Sequence, residues 1–400
     1  MTYRSFRAAA SVYCLFALAC LAAGCGGNTS EPAPVVTATE AVPRSKANEE
    51  LGFPIPVVEL SGTPQEMGTG HGRRLGDIIR KLHHDYLTAY FANPTRRVMA
   101  MAATSAFESR VSPEHLAEVN ALAKESGVDA RQMLLAQCFL DLSAMTACST
   151  VTLPADASPD GVARFGRNLD FPSFDVADKA TVVFVQRPGD GRNAFATVGW
   201  PGMIGVLSGM NEHGLALANM EVKRSMRLPS AMPYILLYRT VLERCATVDE
   251  AVALLQRTPR QTANNLMLMD AAGNRAVVEI TPEKVYVRRA DPRQALISTN
   301  HQRAGESWDT PGYCRRYDSL MRASKKNHGE IDVKSLEAML VDASQGKMTL
   351  QSMVFEPSTR VLYLSAGTDA ARGTFHRLDL KPMFAKKGAG DAGVAVSSGR

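Results

Sequence analysis

The cysteine at position 148 lies in the stretch MTACST, where a helical pattern ends and a strand pattern begins. Downstream, the stretch GRNLDF brings Arg167, Asn168 and Asp170 to the end of a predicted strand. A thiolate is a strong nucleophile, and a guanidinium or a carboxylate near a thiol changes the fraction that is ionised. These residue types therefore allow nucleophilic chemistry at Cys148, provided that the fold brings the downstream polar groups to the sulfur.

Strand geometry limits which of these side chains can reach one sulfur. Alternation points Asn168 and Asp170 to one face of the strand and Arg167 to the other. A bend near Gly166 or Pro172 is therefore required to bring all three together. Taken singly, Asp170 can instead be a turn residue before Phe-Pro, and Arg167 can be a surface charge.

The cysteines also allow a purely structural interpretation. Beyond the first 25 residues, the sequence contains Cys138, Cys148, Cys245 and Cys314. In an oxidising compartment four cysteines permit two disulfides, so a bridge at Cys148 is an alternative to a reactive thiol. The spacings include no CxxC pair and do not fix a pairing.

The first 25 residues have the layout of an export signal, with two early arginines, an apolar run and small residues before Cys25. The apolar run is too short to serve as a membrane-spanning helix. The last four residues, AAGC, resemble a bacterial lipobox, whose cysteine carries a lipid after cleavage; a plain signal peptide is the alternative. Both interpretations predict export to the cell envelope, and the first adds a membrane anchor through a lipid on Cys25.

The rest of the chain divides by composition and period. Residues 26–50 are rich in Pro, Ala, Thr, Ser and Glu without apolar periodicity, which predicts a flexible tether. Residues 51–147 form a mainly helical segment, and residues 148–385 form the catalytic domain, with residues 386–400 as a disordered tail. The chemistry is thus assigned to the part that begins at Cys148.

Charge and motif content exclude several functional classes. The net charge of +5 is small and dispersed, so nucleic acid is not an expected partner. The 8 histidines include no HExxH motif, and none lies a short step from a cysteine as a zinc site requires. The sequence also contains no GxSxG elbow and no P-loop. We expect neither a metal nor a cofactor, and the oligomeric state stays open.

Helices precede Cys148 after a short extended start, PIPVVELSG. Ser112 and Pro113 supply an N-cap and a first-turn proline, and Gly127 ends that helix. A second helix runs from about Ala130 toward Leu142 and leads the chain to Cys148.

Short strand patterns dominate after Cys148. Helices interrupt them from Pro233 to about Cys245, after the capping box Thr247-x-x-Glu250, and near 333–341. The turn signals MNEHG and DAAGN mark hairpins, and TLQSMVFEPSTRVLYLSAG forms a final one. Hairpins that alternate with helices predict an α+β fold of antiparallel sheets layered with helices, rather than a βαβ sheet.

Four motifs in order, ACSTVT, GRNLDF, GMNEHGLALANMEV and ISTNHQ, resemble those of the penicillin acyltransferase-like (peptidase C45) N-terminal-nucleophile hydrolases and, more distantly, the choloylglycine hydrolases. The upstream stretches ELSGTPQEMGTGHGRRLG and HLAEVNALAKESGVDARQMLLAQ are similar to the segment that this family carries before its nucleophile. The resemblance runs from about Val57 to Gly367. It implies a four-layer αββα sandwich with an N-terminal helical segment.

In such enzymes the precursor cuts itself just before the nucleophile, so Cys148 would carry both a thiol and a free α-amine. An unperturbed thiol with a pKa near 8.5 is only slightly ionised at neutral pH, and an amine titrating near 8 can act as its base. The resemblance implies an amidohydrolase or acyltransferase that forms a thioester on Cys148 with a small N-acyl substrate. Asp170 would hold the amine, Arg167 would orient the sulfur, and Asn219 and Asn300 would donate to the oxyanion or hold the terminus.

Some residues depart from the family pattern. Ala147 stands where the family often has glycine, and Gly346-Lys347 stands where a relative carries an arginine. Lys347 and Arg316 are both candidates for binding a substrate carboxylate or for a structural ion pair.

Two other functions stay open at this point. One is an uncleaved thiol hydrolase in which His301 is the base for Cys148. The other is an inactive surface binding protein with the same fold. Within acyl chemistry, export away from coenzyme A favours hydrolysis of an amide over transfer from an acyl-coenzyme A.

Overall fold

The computed structural model describes residues 42, 52–142, 147–222, 229–304 and 313–385. The predicted signal peptide, nearly all of the predicted tether and the predicted tail lie outside these residues, as do residues 143–146 just before Ala147. The described residues from 52 onward belong to one contact unit.

The strands form two sheets. In chain order the described strands are β1 (Val57–Gly62), β2 (Ala147–Leu153), β3 (Arg164–Asp170), β4 (Val182–Pro188), β5 (Phe195–Gly199), β6 (Ser208–Asn211), β7 (Ala216–Glu221), β8 (Asn264–Met269), β9 (Arg275–Ile280), β10 (Val285–Arg288), β11 (Leu296–Ser298), β12 (Thr349–Glu356), β13 (Val361–Ala366) and β14 (His376–Asp379). The 8-stranded sheet has the order β1-β4-β5-β6-β7-β8-β9-β10, and the 6-stranded sheet has the order β11-β2-β3-β12-β13-β14.

The pairing between neighbouring strands is antiparallel throughout the described part of the chain, apart from β1 with β4. The predicted hairpins at MNEHG and DAAGN join β6 to β7 and β8 to β9. The final predicted hairpin is β12 with β13. The prediction of antiparallel sheets is therefore confirmed.

The helices fall before Cys148 and between the strand groups. They are α1 (Pro64–Tyr90), α2 (Pro94–Glu108), α3 (Pro113–Ser126), α4 (Ala130–Leu142), α5 (Tyr234–Arg244), α6 (Val248–Arg257), α7 (Arg315–Lys326), α8 (Val333–Asp342) and α9 (Lys381–Ala385). The helices predicted from caps and periodicity are all present, with ends that differ by a residue or so.

Two predicted caps can be compared with their contacts. Ser112 caps α3 by accepting a hydrogen bond from the backbone N–H of His115, and Gly127 closes it with a φ of 72°. Thr247 caps α6 through the N–H of Glu250 at 3.3 Å. The Glu250 carboxylate accepts from the N–H of Ala246 at 2.6 Å, one residue before the position that the capping box predicts.

Helices cover the outer face of each sheet. On the 6-stranded sheet, Val151 and Val354 pack in one apolar cluster with Leu320 of α7 and with Leu336 and Leu340 of α8. On the 8-stranded sheet, α5 lies close enough that a Cβ at Gly209 would come within 2.9 Å of the Leu242 side chain.

The inner faces of the two sheets contact each other. Arg167 Nε on β3 donates to Ser208 Oγ on β6 at 2.7 Å, and Thr150 Oγ1 on β2 donates to Met220 Sδ on β7 at 3.4 Å. Helix, sheet, sheet and helix therefore follow one another, and the predicted αββα layering is confirmed.

The segment before Cys148 is built into these layers. β1 extends the 8-stranded sheet beside β4, and α1 packs against α3 at a distance that only glycine allows, since a Cβ on Gly68 would lie 2.3 Å from the Glu118 carbonyl oxygen. Buried charges join α3 to α5: Arg239 pairs with Glu118 at 2.6 Å and with Glu243 at 2.8 Å. Burial alone would raise the pKa of Glu243, but the Arg239 charge and a hydrogen bond from His115 hold it well below its usual range.

Loss of one carboxylate from this buried group should be costly. Glu118→Gln leaves the fully buried Arg239 guanidinium with one anionic partner instead of two, so we expect the free energy of unfolding to fall by about 3 kcal/mol. Urea unfolding of a single-chain Cys148→Ala protein measures this. Glu125→Gln on the same helix is the control, because its partner Arg73 is 67% exposed and the expected loss is below about 1 kcal/mol. Equal losses in the two variants would contradict the prediction.

Candidate active site

The β2–β3 ladder determines which side chains share a face. Cys148 lies opposite Leu169, and Thr150 lies opposite Arg167, in unbroken register. Cys148 and Arg167 therefore point to the same side, toward the 8-stranded sheet. The predicted alternation holds for Asn168, which faces the other way: its Nδ2 donates to the Leu340 carbonyl of α8 at 2.7 Å.

The irregularity expected in β3 lies instead in its neighbour. β3 pairs with β2 without a break, whereas the β12 ladder shifts register between Thr349 and Gln351, opposite the end of β3. Thr349 is thereby placed across from Asp170. The register shift, not a bend at Gly166, accompanies the placing of Asp170 near the cysteine.

Cys148 is 1% exposed, and both of its backbone polar groups are held by side chains. Its backbone N–H donates to Asn300 Oδ1 at 2.7 Å, and its carbonyl oxygen accepts from the Arg316 guanidinium. β11 ends at Ser298, opposite Thr150, so the Asn300 side chain occupies the place where the next strand residue would have paired with Cys148.

Three charged groups act on the thiol. Burial raises the pKa of Cys148; Arg167 lowers it through its charge and a hydrogen bond, Asp170 raises it, and Arg316 lowers it. Arg167 is itself 0% exposed and is held by Ser208 Oγ at 2.7 Å and by the Asn219 carbonyl at 3.0 Å. A rigid guanidinium thus stands beside a buried thiol.

Asp170 is the acidic group of the site. Its Oδ1 accepts from Thr349 Oγ1 at 2.6 Å, and its Oδ2 lies 3.6 Å from Arg316 without a hydrogen bond. Burial raises the pKa of Asp170 to about 6, against the lowering effects of Thr349 and of Arg316. In the uncut chain this carboxyl therefore has an oxygen available for a further cationic or hydrogen-bonding partner.

The two predicted asparagines have different surroundings. Asn300 is fully engaged: besides Cys148, its Oδ1 accepts from Arg316 at 3.0 Å, and its Nδ2 donates to the Glu221 carbonyl at 2.8 Å. Asn219 lies on β7, is 2% exposed, and has a buried Oδ1 without a partner among the described residues. The Asn219 Oδ1 thus accepts no hydrogen bond from the described residues, whereas the Asn300 Oδ1 accepts two.

Arg316 contacts the site more extensively than the sequence predicts. It lies in the first turn of α7 and contacts Cys148, Asn300 and Asp170 together. The run CRRYDSL contains two adjacent arginines, and they point in different directions because successive residues of a helix lie on different faces. Arg315, the neighbour, donates to the Asp342 carbonyl at 2.7 Å on the surface. Lys347 is exposed on a short 3₁₀ turn.

His301, the alternative base, and Cys314 both contact Thr299. His301 contacts Thr299 Oγ1 at 3.1 Å, and the same oxygen lies 3.7 Å from Cys314 Sγ. Cys138, Cys148, Cys245 and Cys314 are all free thiols, so the structure contains no bridge at Cys148. Among the residues that the structure describes, no group of three or more His, Cys, Asp or Glu side chains could hold a metal ion.

The raised pKa of Asp170 predicts a pH-dependent stability of the uncut chain. Because the folded value is about 6 and the ordinary value is 3.8, the folded chain keeps a proton that the unfolded chain has already released. Stability should therefore fall as the pH rises from about 4 to about 6, by about 3 kcal/mol. Unfolding free energies of Cys148→Ala and of Cys148→Ala with Asp170→Asn should diverge over that range, in favour of the asparagine at the higher pH. A difference that does not change with pH would contradict this.

Comparison with known proteins identifies the family. The family model described as acyl-coenzyme A:6-aminopenicillanic acid acyl-transferase matches residues 157–371, a range that begins after Cys148 and includes Arg167, Asp170, Asn300 and Arg316.

Individual relatives are more distant. An uncharacterised protein of Archaeoglobus fulgidus is 24% identical over 381 residues, which cover 80% of this chain and 63% of that protein, so the chain spans less than two thirds of this relative's length. Protein dcd1A of Dictyostelium discoideum is 22% identical over 355 residues, 79% of each chain. Among solved structures, the Caenorhabditis elegans N-acylethanolamine-hydrolyzing acid amidase ortholog is similar with a TM-score of 0.43 and 19% identity, over 53% of this chain and 93% of that one. Since the family model matches more than half of the sequence, the chain belongs to the acyl-coenzyme A:6-aminopenicillanic acid acyltransferase family.

Proposed function

We propose that the protein is an N-terminal-nucleophile cysteine enzyme that cuts its own chain between Ala147 and Cys148 and then cleaves a linear N-acyl amide through a thioester on Cys148. The observation that carries this proposal is that side chains hold both backbone polar groups of Cys148, one on each side of its α-carbon. Asn300 accepts from the Cys148 N–H and Arg316 donates to its carbonyl, while the thiol of the same residue lies beside Arg167.

Self-cleavage would proceed in two balanced steps. The Cys148 sulfur attacks the Ala147 carbonyl carbon, the bond from that carbon to the Cys148 nitrogen breaks, and the nitrogen takes the thiol proton to become an amine. Water then hydrolyses the Ala147 thioester, which releases a carboxylate and restores the thiol. The two contacts support this route because Asn300 holds the leaving nitrogen and Arg316 holds the following carbonyl, so the backbone on both sides of the Cys148 α-carbon is fixed.

The new amine would have acceptors already at hand. The Asn300 oxygen lies 2.7 Å from the Cys148 nitrogen, and Asp170 Oδ2 accepts no hydrogen bond, although it lies 3.6 Å from Arg316. A positive α-ammonium beside Asp170 would lower the pKa of that carboxyl, which burial holds at about 6 in the uncut chain. The removal of a peptide bond would thus convert a buried carboxyl into half of an ion pair.

Amide cleavage would then use the same atoms. The α-amine takes the thiol proton, the thiolate attacks the substrate carbonyl carbon, and the resulting ammonium protonates the departing amine. The Asn219 amide is the proposed donor to the oxyanion, and one such donor is worth roughly 3 kcal/mol of transition-state stabilisation. Water attacks the thioester to release the acid. We propose water rather than a second amine as acceptor because the expected setting outside the cell lacks coenzyme A thioesters.

The self-cleavage proposal predicts two chains in the purified enzyme. Intact mass and N-terminal sequencing should find a second chain that begins Cys148-Ser149-Thr150, and Cys148→Ala should remain one chain. Arg316→Ala should slow cleavage by about 100-fold, because the Cys148 carbonyl and the Asn300 side chain that holds the leaving nitrogen both lose their hydrogen bond from Arg316. Arg315→Ala, which removes the neighbouring guanidinium from a surface contact, is the matched control and should be cut normally. A single chain in the unmodified protein would contradict the proposal.

The substrate class has its own test. A set of N-acyl amides that share one amine should be hydrolysed by the cut enzyme, with loss of activity in Cys148→Ala. Faster turnover of an acyl-coenzyme A than of any amide would contradict the preference for hydrolysis.

We further propose that the enzyme is exported and held at a membrane by a lipid on Cys25. The support is the leader, with its two arginines, its apolar run and the AAGC ending. Among the described residues no helix is long and apolar enough to cross a bilayer. Cells that express the full chain should carry it in the membrane fraction, and Cys25→Ser should move it out of that fraction. An unchanged distribution would contradict the lipid anchor.

A further inference from the structure

A small apolar pocket lies at the end of the sandwich that carries Cys148. It is open to solvent on one side, encloses about 50 Å³ and is lined by residues from both sides of the cleavage position. We call it the aromatic pocket and define it by Tyr86 of α1, Phe139 of α4, Phe171 after β3, and Trp200 and Met203 after β5.

The ladder register puts this pocket next to the nucleophile. Phe171 follows Asp170 directly, and its backbone N–H donates to the Met348 carbonyl at 2.7 Å, so the extended course of β3 continues through it. Leu169 lies opposite Cys148, and Phe171 is two residues further on the same face. Such diagonal neighbours are about 7–8 Å apart. A group attached to the carbonyl that Cys148 attacks is therefore within reach of Phe171.

The chemistry of the lining is uncharged. The Tyr86 hydroxyl donates to the Pro172 carbonyl at 3.1 Å, and the Trp200 indole N–H donates to the Ala177 carbonyl at 2.7 Å, so both rings turn their polar ends toward the backbone. Tyr86 stacks on Phe171 with ring centroids 5.9 Å apart. The remaining polar side chain, His83, is neutral at pH 7 because burial lowers its pKa to about 4.

The walls are held in place by helices that precede Cys148. The loop after β5 turns at Gly202 with a φ of 88°, and its Gly202 N–H donates to His71 Nε2 at 3.1 Å. Gln137 of α4 donates to the Gly202 carbonyl at 2.7 Å and accepts from the Ile204 N–H at 2.9 Å. Burial lowers the pKa of His71 to about 3, which keeps that imidazole a neutral acceptor. The pocket is thus preformed rather than created by a mobile loop.

We propose that the aromatic pocket binds the acyl part of the amide substrate, and that this acyl part is a short, uncharged, apolar chain. The inference rests on the proposed function of Cys148. One water molecule needs about 10–15 Å³ of enclosed volume, so a pocket of about 50 Å³ holds a group of only a few heavy atoms. Arg316 contacts the Cys148 carbonyl and lies 3.6 Å from Asp170, and we assign the amine of the substrate to this polar side.

Chain-length selectivity tests the assignment. We would measure kcat/KM for acetyl to decanoyl amides of one amine, and for several amines with one acyl group. Ala136 of α4 also lines the pocket, so Ala136→Leu fills it and should reduce kcat/KM for butanoyl and longer amides at least 10-fold relative to acetyl. Met203→Ala should move the optimum to longer chains. Ala102→Leu, on the exposed side of α2, is the control and should leave the dependence of kcat/KM on acyl chain length unchanged. Equal effects on every acyl length, or a change confined to the amine series, would overturn the proposal.

A binding measurement separates this proposal from the catalytic one. The sequence has 2 tryptophans, so Cys148→Ala with Trp308→Phe leaves Trp200 of the pocket as the sole tryptophan. A butanoyl amide should change the fluorescence of that uncut, inactive protein, and adding Ala136→Leu should weaken the binding at least 10-fold. If the unmodified protein proves neither cut nor active, this titration still shows whether the aromatic pocket binds an acyl group. If the enzyme hydrolyses amides but the titration is flat, the pocket assignment fails and the proposed function stands.

Discussion

Side chains hold the backbone N–H and C=O of Cys148 at the point where β11 stops pairing with β2. β11 stops pairing at Thr150, and the next two hydrogen bonds to β2 come from the Asn300 amide and the Arg316 guanidinium. A side-chain acceptor can hold either a peptide nitrogen or an amine, whereas a continuing strand would demand a peptide on both sides. This substitution also fixes the position of Arg316, and through it the surroundings of Asp170.

Electrostatics in this region are balanced by cations held rigidly from opposite directions. Arg167 reaches the thiol from within β3 and is anchored on the facing sheet, while Arg316 arrives from a helix on the outer layer. Both oppose the rise in pKa that burial imposes on the Cys148 thiol, and Asp170 partly cancels them. A thiol in this position is therefore poised by burial and charge together, and its reactivity depends on how many charges the site holds.

Much of the framework could be predicted from the sequence because its signals are local. Ser112, Pro113 and Gly127 announce one helix by themselves, and the strand period changes at Cys148. The order of the motifs was enough for the family and for the layered fold. The pairing of Asn300 with Cys148 could be proposed only from resemblance, because it depends on where β11 ends. Arg316 could be named only as a candidate for a substrate carboxylate or an ion pair. The rotation of α7 decides which of the two adjacent arginines faces Cys148, and the sequence CRRYDSL does not give that rotation. The register shift in β12 was likewise invisible, because it involves no glycine or proline.

The parallel pairing of β1 with β4 gives the segment before Cys148 a protective role. Without β1, the strand β4 would end the 8-stranded sheet, and Val182, Val183, Phe184 and Val185 would present unpaired backbone along an apolar strand. Long, flat, apolar sheet edges recruit strands from other molecules, and proteins avoid exposing them. β1 itself is short and ends at Gly62, and the next residue, Thr63, is the N-cap of α1. The N-terminal segment thus caps a surface that would otherwise favour aggregation, whether or not a bond behind it has been cut.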